Sequence, residues 1–241
     1  MKNSGIFIGI CLILIIAAVV IPLPAQLVNY SIMATIGFAI IFLLVALFTK
    51  KPLTLPWFPS ILLAFTTFKV ALSVSVIRLI LLNGDAGEVI GVFGHFIGAG
   101  NLIIGLIIFV AITAVSFIAI IKVAKRVSGI TASFTSNALT GTDSTNAPHS
   151  KTQVETAFCG AMDGVVQYVK GDTIFNIMAL FIIVIGSVAI GVNPYSLLHG
   201  EAVAVFMLLA IGHGIAFLIP NVFISFASSL ITIRVYGDIK E

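Results

Sequence analysis

Charged side chains are scarce in this sequence. Lys, Arg, Asp and Glu make up 9% of its 241 residues, whereas hydrophobic residues make up 60%. A soluble globular domain carries about 25% charged residues, so the composition excludes that class. Several apolar runs reach the roughly 20 residues that a helix needs to cross a bilayer. The sequence therefore predicts an all-α protein, a polytopic transmembrane helical bundle.

Cysteine and the motifs of catalytic chemistry are also scarce. The two cysteines, Cys11 and Cys159, are far apart in the chain and indicate reduced, structural thiols rather than a disulfide framework. His95 and His213 have no carboxylate or cysteine neighbours at metal-ligand spacing. No nucleophile elbow, phosphate loop or dinucleotide fingerprint occurs. We therefore expect no enzyme, no metal site and no cofactor.

Eight stretches are candidates for membrane helices, and seven to eight membrane segments are expected. The first is interpreted as an uncleaved helix rather than a signal peptide, because its apolar run is long and another span follows at once. If the middle of the chain is cytoplasmic, three further spans would leave the basic residues near the C-terminus outside, against their preference for the cytoplasm. We therefore expect either that the fifth stretch also crosses the membrane or that the last one is re-entrant. The ranges are 5–21, 31–48, 58–82, 102–123, 154–170, 173–192, 202–219 and 220–233.

The basic residues predict an orientation. They follow the second and fourth candidate helices, whereas the connections at 22–30 and 83–101 contain none. Lys and Arg near span ends favour the cytoplasmic side, so the N-terminus and the middle of the chain are predicted to be cytoplasmic. This explains the basic residues without a nucleic-acid partner. The residues concerned are Lys2, Lys50, Lys51, Lys122, Lys125 and Arg126.

A polar interval rich in serine and threonine divides the chain. It separates a first transmembrane half at 1–123 from a second transmembrane half at 154–241. We therefore expect a cytoplasmic polar loop at 124–153, with a composition like that of a flexible linker. It is the stretch that a soluble partner could reach most easily.

Two basic residues fall inside the third candidate helix. Lys69 lies about midway along it, where a charge costs roughly 2.5–3.5 kcal/mol on insertion scales. Thr66 and Ser73 share the face of Lys69, which fits either a pairing inside the bundle or a charged group lining a wet pathway. Arg78 lies on the opposite face near the helix end, where it can snorkel to the outer interface or serve a pathway.

A second set of charged residues occurs in the string GAMDGVVQYVKGD. Asp163 and Lys170 fall on one helical face, which allows an interfacial ion pair or proton exchange at the carboxylate. Asp172 suits the N-cap of the apolar run that follows it, or a place in a proton pathway. Small residues at four-residue spacing predict close helix packing. These small residues are Gly94 with Gly98 and Gly160 with Gly164.

Several strings occur together and in order: TKKPLTLPWFPSILL, RLILL, FGHFIGAGN, FCGAMDGVVQYVKGD, and the closing IGHG and ITIRV. Over about 5–235 they resemble the export-gate family of type III secretion, the FHIPEP family of FlhA- and SctV-like proteins. The resemblance implies a multi-pass protein of the bacterial inner membrane, in a flagellar or injectisome apparatus, that links protein export to the proton-motive force. It also implies a homo-oligomeric ring, with other export-apparatus membrane subunits and exported proteins as partners.

The same resemblance carries over to individual residues. It places Lys69, Arg78, Asp163, Lys170 and Asp172 at charged positions of the family, which makes them candidates for proton coupling or a pathway. His213 stands where the family usually has Asp, and Ser73 where it has Asn. The chain ends at Glu241, before the soluble C-terminal domain of the family.

The match is least faithful in the polar interval, where the family has a signature of alternating charges. Uncharged residues stand at several of those positions in this chain. The departures therefore leave a second hypothesis, a non-coupled scaffold subunit or degenerate remnant of the same gate. A small-solute secondary transporter is a third. The substituted charged positions are Gly129, Ser133, Asn137 and Thr142, and Thr140 stands where the family has Pro.

Overall fold

The computed structural model describes residues 23–98, 101–140, 149–191 and 199–238. Within these ranges it consists of helices joined by short connections and contains no strand, which confirms the all-α class. A single 3-10 turn occurs at Pro52–Thr54. The helices are α1 Ala25–Phe48, α2 Phe58–Asn83, α3 Glu88–Gly98, α4 Leu102–Thr140, α5 His149–Gly191 and α6 His199–Asp238.

Five of these helices are long and apolar enough to cross a membrane. The sixth, α3, is apolar but has only 11 residues, too few to cross. The first predicted helix, at 5–21, lies outside the described residues. The result therefore agrees only roughly with the expected seven to eight segments. The candidate spans are Ala25–Phe48, Phe58–Asn83, Ile103–Ser136, Val154–Gly186 and Val203–Tyr236.

The last four predicted segments form two continuous helices instead. α5 runs from His149 to Gly191, and α6 runs from His199 to Asp238 with Pro220 inside it. At 1.5 Å per residue, the 40 residues of α6 extend about 60 Å, roughly twice the thickness of a hydrocarbon core. The predicted extra crossing or re-entrant segment is therefore wrong, because the additional residues prolong two crossing helices.

The polar interval is helical over its described residues. α4 continues beyond the predicted end at 123 as far as Thr140, and α5 already begins at His149. Hydroxyl groups in this part of α4 donate to carbonyl oxygens of the preceding turn, as Thr131 does to Val127 at 3.1 Å. Serine and threonine side chains can be accommodated in a helix in this way. Two helix extensions thus replace most of the expected loop, and 141–148 lies outside the described residues.

α6 is the central helix of the bundle. It contacts all five of the other helices, and 61% of its apolar window is buried inside the chain, against 50% for α2 and 17% for α4. Two apolar clusters pack against it. The Ile80 cluster includes Ile32, Val76, Ile80, Ala179, Ile183, Phe206 and Ala210. The Phe58 cluster includes Phe58, Leu62, Met162, Val165, Ile224, Ala227 and Ile231.

Arg234 joins the end of α6 to the end of α1. Its guanidinium group donates hydrogen bonds to the backbone carbonyl oxygens of Ala46 at 2.7 Å, Leu47 at 2.9 Å and Thr49 at 2.5 Å. The last carbonyls of a helix lack intrahelical partners and favour a cation nearby. α6 therefore ends at the same end of the bundle as the basic turn after α1, and we call this the Arg234 end.

Glycines allow α3 to lie directly against α6. A Cβ atom at Gly94 would meet the carbonyl oxygen of Leu208 well inside van der Waals contact, and one at Gly212 would meet that of Ile90 in the same way. A Cβ atom at Gly98 would lie 2.9 Å from a methyl carbon of Leu208. The backbones can approach this closely only because side chains are absent at the contact.

The other predicted glycine pair does not take part in such a contact. No atom lies within 4 Å of the position that a Cβ would take at Gly160 or Gly164. Gly160 and Gly164 therefore make no close helix contact within the part of the chain that the structure describes. The spacing of small residues indicates which helix face could approach a neighbour, but the position of the neighbour decides whether it does.

Candidate functional site

Lys69 is fully buried in the middle of α2. Its ammonium group forms an ion pair with the carboxylate of Asp172 on α5 and donates a hydrogen bond to the side-chain carbonyl of Asn221 on α6. All three residues lie near the middle of their candidate spans. A charge at this depth is tolerated where it is paired and hydrogen-bonded. One ammonium group thus connects three crossing helices.

Pro220 modifies α6 beside this pair. Because proline has no N–H, the carbonyl group of Ala216 one turn earlier loses its intrahelical donor. The carbonyl oxygen of Phe217, in the same turn, accepts a hydrogen bond from Lys69 at 3.4 Å. In a membrane, neighbouring helices supply partners to backbone groups around a proline. The proline therefore belongs to the site and does not end the helix.

Asn221 uses both ends of its side-chain amide. Its oxygen accepts from Lys69, and its nitrogen donates to the hydroxyl oxygen of Thr173 on α5 at 3.2 Å. Thr173 in turn donates to the carbonyl oxygen of Val169 at 2.9 Å. The sequence analysis missed Asn221, although an amide directly after a proline in an apolar helix was an available signal.

A second contact joins α2 to α6 one turn away from Lys69. The hydroxyl of Ser73 and Nε2 of His213 lie 2.9 Å apart, and both residues are buried. The His213 ring packs against Phe217 with 4.7 Å between the centroids. Asn176 of α5 donates to the carbonyl oxygen of Gly214 at 3.1 Å. Positions 73 and 213, two of those at which the chain departs from the family it resembles, are therefore in direct contact.

The predicted N-cap role of Asp172 is wrong. α5 is continuous through Gly171 and Asp172, so the backbone N–H groups that follow are already bonded within the helix and are not free to be capped. The carboxylate instead faces Lys69 and is 3% exposed. The sequence predicted a boundary between 170 and 173, which contains Gly171, but glycine is common inside membrane helices.

Three predicted site residues lie away from this buried cluster. Asp163 accepts a hydrogen bond from Ser128 of α4 at 2.5 Å, and Gln167 donates to the same hydroxyl at 3.0 Å. Asp163 forms no ion pair with Lys170 in the described chain. Arg78 is exposed and lines an apolar cavity of about 510 Å³ between α2 and α5. Only Lys69 and Asp172 of the five charged candidates meet.

The chemistry available to the cluster is that of a buried ion pair. It holds one ammonium group and one carboxylate with amide, hydroxyl and imidazole groups around them. Among the described residues, no three His, Cys, Asp or Glu side chains are placed to hold a metal ion. A change in the contact between the two charged groups would act on all three helices.

Comparison with known proteins decides the family. A family model described as "FHIPEP family" matches residues 15–240. The chain belongs to the FHIPEP family. The resemblance of the sequence strings is thereby confirmed, and the buried Lys69–Asp172 pair is a feature of a FHIPEP membrane region. No solved structure matches the chain.

The curated relatives of this FHIPEP chain come from secretion and flagellar systems. Secretion system apparatus protein SsaV of Salmonella typhimurium (strain LT2) is 36% identical over 95% of the chain. Low calcium response locus protein D of Yersinia pestis is 33% identical over 98%, and flagellar biosynthesis protein FlhA of Bacillus subtilis is 35% identical over 99%. The chain spans only 36–37% of the length of these relatives.

Proposed function

We propose that this FHIPEP chain is a membrane component of a type III protein export gate, flagellar or injectisome, and links export to the proton-motive force. The names of its relatives, which refer to a secretion apparatus and to flagellar biosynthesis, support this role. The observation that carries the coupling is the buried pair of Lys69 and Asp172. Ionisable residues at membrane depth are expensive and mark proton or substrate pathways.

The proposed coupling step is protonation of Asp172. A proton on this carboxylate neutralises it, so the Lys69 ammonium group keeps neutral oxygen acceptors, among them those of Asn221 and Phe217, but loses its counter-charge. The attraction between α2 and α5 then falls, because a neutral acid no longer balances the buried ammonium charge. Release of the proton restores the pair. Each cycle therefore moves α2, α5 and α6 between two arrangements.

The proposed orientation has the Arg234 end of the bundle in the cytoplasm. Arg234 and the basic turn after α1 lie at this end, and Phe134 of α4 packs edge-on against Tyr236 there, with 5.9 Å between the ring centroids. α4 thus brings its basic residues toward the same end, in agreement with the excess of Lys and Arg on the cytoplasmic side. The proposed location is the bacterial inner membrane.

The proposed partners follow from the family. They are further copies of the chain in a ring, other membrane subunits of the export apparatus, and the exported proteins. The role is one of transport, with no enzymatic step assigned to the chain.

A non-coupled scaffold is the second candidate function. It is favoured by the end of α4, where the hydroxyl of Ser133 donates to the carbonyl oxygen of Ile130 at 2.7 Å and no charge stands at a position where the family has one. A scaffold requires the fold and the partners but no proton on Asp172. The two functions therefore differ in their dependence on that carboxylate.

The test is complementation of a secretion strain that lacks its own gate protein. The chain is fused to the soluble domain of a relative, and export of a reporter protein is measured. We expect export to be restored and Asp172→Asn to abolish it. The amount of variant protein in the membrane is measured in parallel, because an unpaired Lys69 also lowers stability. Glu88→Gln, at an exposed acid of α3, is the matched control and leaves export unchanged. Full export by the Asp172→Asn variant would favour the scaffold.

A further inference from the structure

Polar side chains follow one side of α6 for most of its membrane span. The polar stripe consists of His213, Asn221, Ser225, Ser228 and Thr232, which recur at intervals that keep them on neighbouring faces of a helix. None is more than 1% exposed. At 1.5 Å per residue the stripe is about 28 Å long, close to the thickness of the roughly 30 Å hydrocarbon core.

Several polar atoms along the stripe have no partner in the described chain. They include the hydroxyls of Ser225 and Ser228, Nδ1 of His213 and the amide oxygen of Asn176 on α5. A helical hydroxyl can donate to the carbonyl of the preceding turn, as Thr232 does at 2.8 Å. Buried polar groups that lack protein partners are usually satisfied by internal water.

The surroundings of the stripe differ at its two ends. Beyond His213, side chains of α2, α5 and α6 form the Ile80 cluster, in which every residue is buried and apolar. In the other direction the stripe runs past Ser225 and Ser228, beside the Phe58 cluster, to Thr232. Apolar packing therefore flanks both ends, and the Thr232 end lies two residues before the half-buried Arg234 at the Arg234 end of the bundle.

We propose that the polar stripe holds a file of internal water molecules that enters at the Arg234 end and stops at the Lys69–Asp172 pair. A hydronium ion in the file transfers its proton to a carboxylate oxygen of Asp172 and becomes water, and the reverse transfer releases the proton. The file gives Asp172 proton access from one side of the membrane only. Its role in coupling rests on the proposed function, whereas its existence does not.

Dry helix packing is the alternative that the experiment must exclude. Serine is common where membrane helices approach each other closely, because it is small. A hydrated stripe and a dry serine contact differ in the access of water to positions 225 and 228. They also differ in the response to alanine, which preserves the small size and removes the hydroxyl.

Cysteine accessibility in native membranes tests for the water. Cys11 and Cys159 are first replaced by alanine, and single cysteines are then placed at Ser225 and Ser228. A small charged thiol reagent reacts with thiolate and so needs water at the site. The controls are Ala227→Cys, at a buried apolar position of α6 between the two serines, and Ile80→Cys, in the apolar cluster beyond His213.

We expect Ser225→Cys and Ser228→Cys to react about tenfold faster than both controls, because only they contact water that can carry the reagent and ionise the thiol. Equally slow reaction at all four positions would show dry packing and overturn the proposal. Equally fast reaction would overturn it as well, since no selective file would then exist. The measurement does not depend on export, so it shows whether the stripe contains water even if complementation fails.

Measurement of export in serine variants tests whether the water file takes part in the proposed coupling. In the complemented strain, Ser225→Ala combined with Ser228→Ala lowers export severalfold without loss of protein from the membrane. Ser133→Ala is the matched control, because this hydroxyl lies on α4 and bonds within its own helix. Fast labelling together with unchanged export in the double variant would overturn the coupling role.

Discussion

Lys69 and Asp172, which are 103 residues apart in the chain, form a buried ion pair where α2, α5 and α6 meet. The pair lies in the middle of three membrane spans, far from the bulk water on either side of the membrane. Desolvation makes such a pair costly, and removal of one partner leaves an uncompensated charge. Stability and the proposed coupling therefore depend on the same contact.

Lys69→Met destabilises the protein strongly, because it leaves the Asp172 carboxylate buried without a cation. A loss of about 3–5 kcal/mol is expected from breaking a buried pair. The double variant Lys69→Met with Asp172→Leu regains most of this stability, since no buried charge remains. Thermal unfolding of the purified protein in detergent measures both, and a double variant as unstable as the single one would contradict the interpretation.

Asn221→Leu removes the amide that contacts Lys69 and Thr173 while the branched shape and the number of heavy atoms of the side chain are kept. The loss of these buried hydrogen bonds is expected to cost about 1–3 kcal/mol, less than removal of Lys69. The same unfolding measurement compares the two variants. Asn83→Leu, at the exposed C-terminal residue of α2, is the control and should change stability little.

Arg234→Gln separates the ends of α6 and α1. The variant loses a guanidinium group that donates to three carbonyl oxygens, and hydrogen bonds from charged groups contribute about 1.5–3 kcal/mol each. Arg234→Lys restores only part of the stability, because an ammonium group cannot reproduce the planar fork of donors. The rate of proteolysis in the turn after α1 measures this separation. Equal cleavage rates for Arg234→Gln and the parent protein would show that Arg234 does not hold the two helix ends together.

Gly94→Ala forces α3 away from α6, because its Cβ would collide with the carbonyl oxygen of Leu208. Overpacking of a close contact costs about 1–3 kcal/mol. Gly91→Ala is a closely matched control on the same helix, since nothing lies within 4 Å of a Cβ at that position. Thermal unfolding of the two variants should differ clearly, and similar stability would argue against the tight contact.

Helix breaks were the part of the fold that local sequence patterns predicted incorrectly. The sequence predicted one segment boundary next to Gly171 and another at Pro220, yet α5 and α6 pass through both residues. In water these residues weaken or end a helix, because the backbone can exchange internal hydrogen bonds for solvent. In a membrane bundle no water is available for that exchange, so the helix continues and keeps its internal hydrogen bonds.

The candidate site was predictable as a set of residues but not as an arrangement. The charges of Lys69 and Asp172 stood out because lipid-embedded ionisable residues are rare. Asp163, Lys170 and Arg78 met the same criterion and lie elsewhere. The criterion shows that a charge in the membrane is energetically costly, but it does not show which residue pairs with it. The contact between Ser73 and His213 depends on the depth and rotation of two separate helices.

The sequence by itself determined the helical membrane class, the boundaries of α2 and membership of the FHIPEP family. Backbone groups in lipid must be satisfied locally, so apolar length alone predicts a crossing helix, and the family is carried by the order of the strings. Only the tertiary structure decided that Lys69 pairs with Asp172 rather than with a nearer acid. That choice depends on how α2, α5 and α6 pack, and the packing is determined jointly by side chains spread over the whole chain.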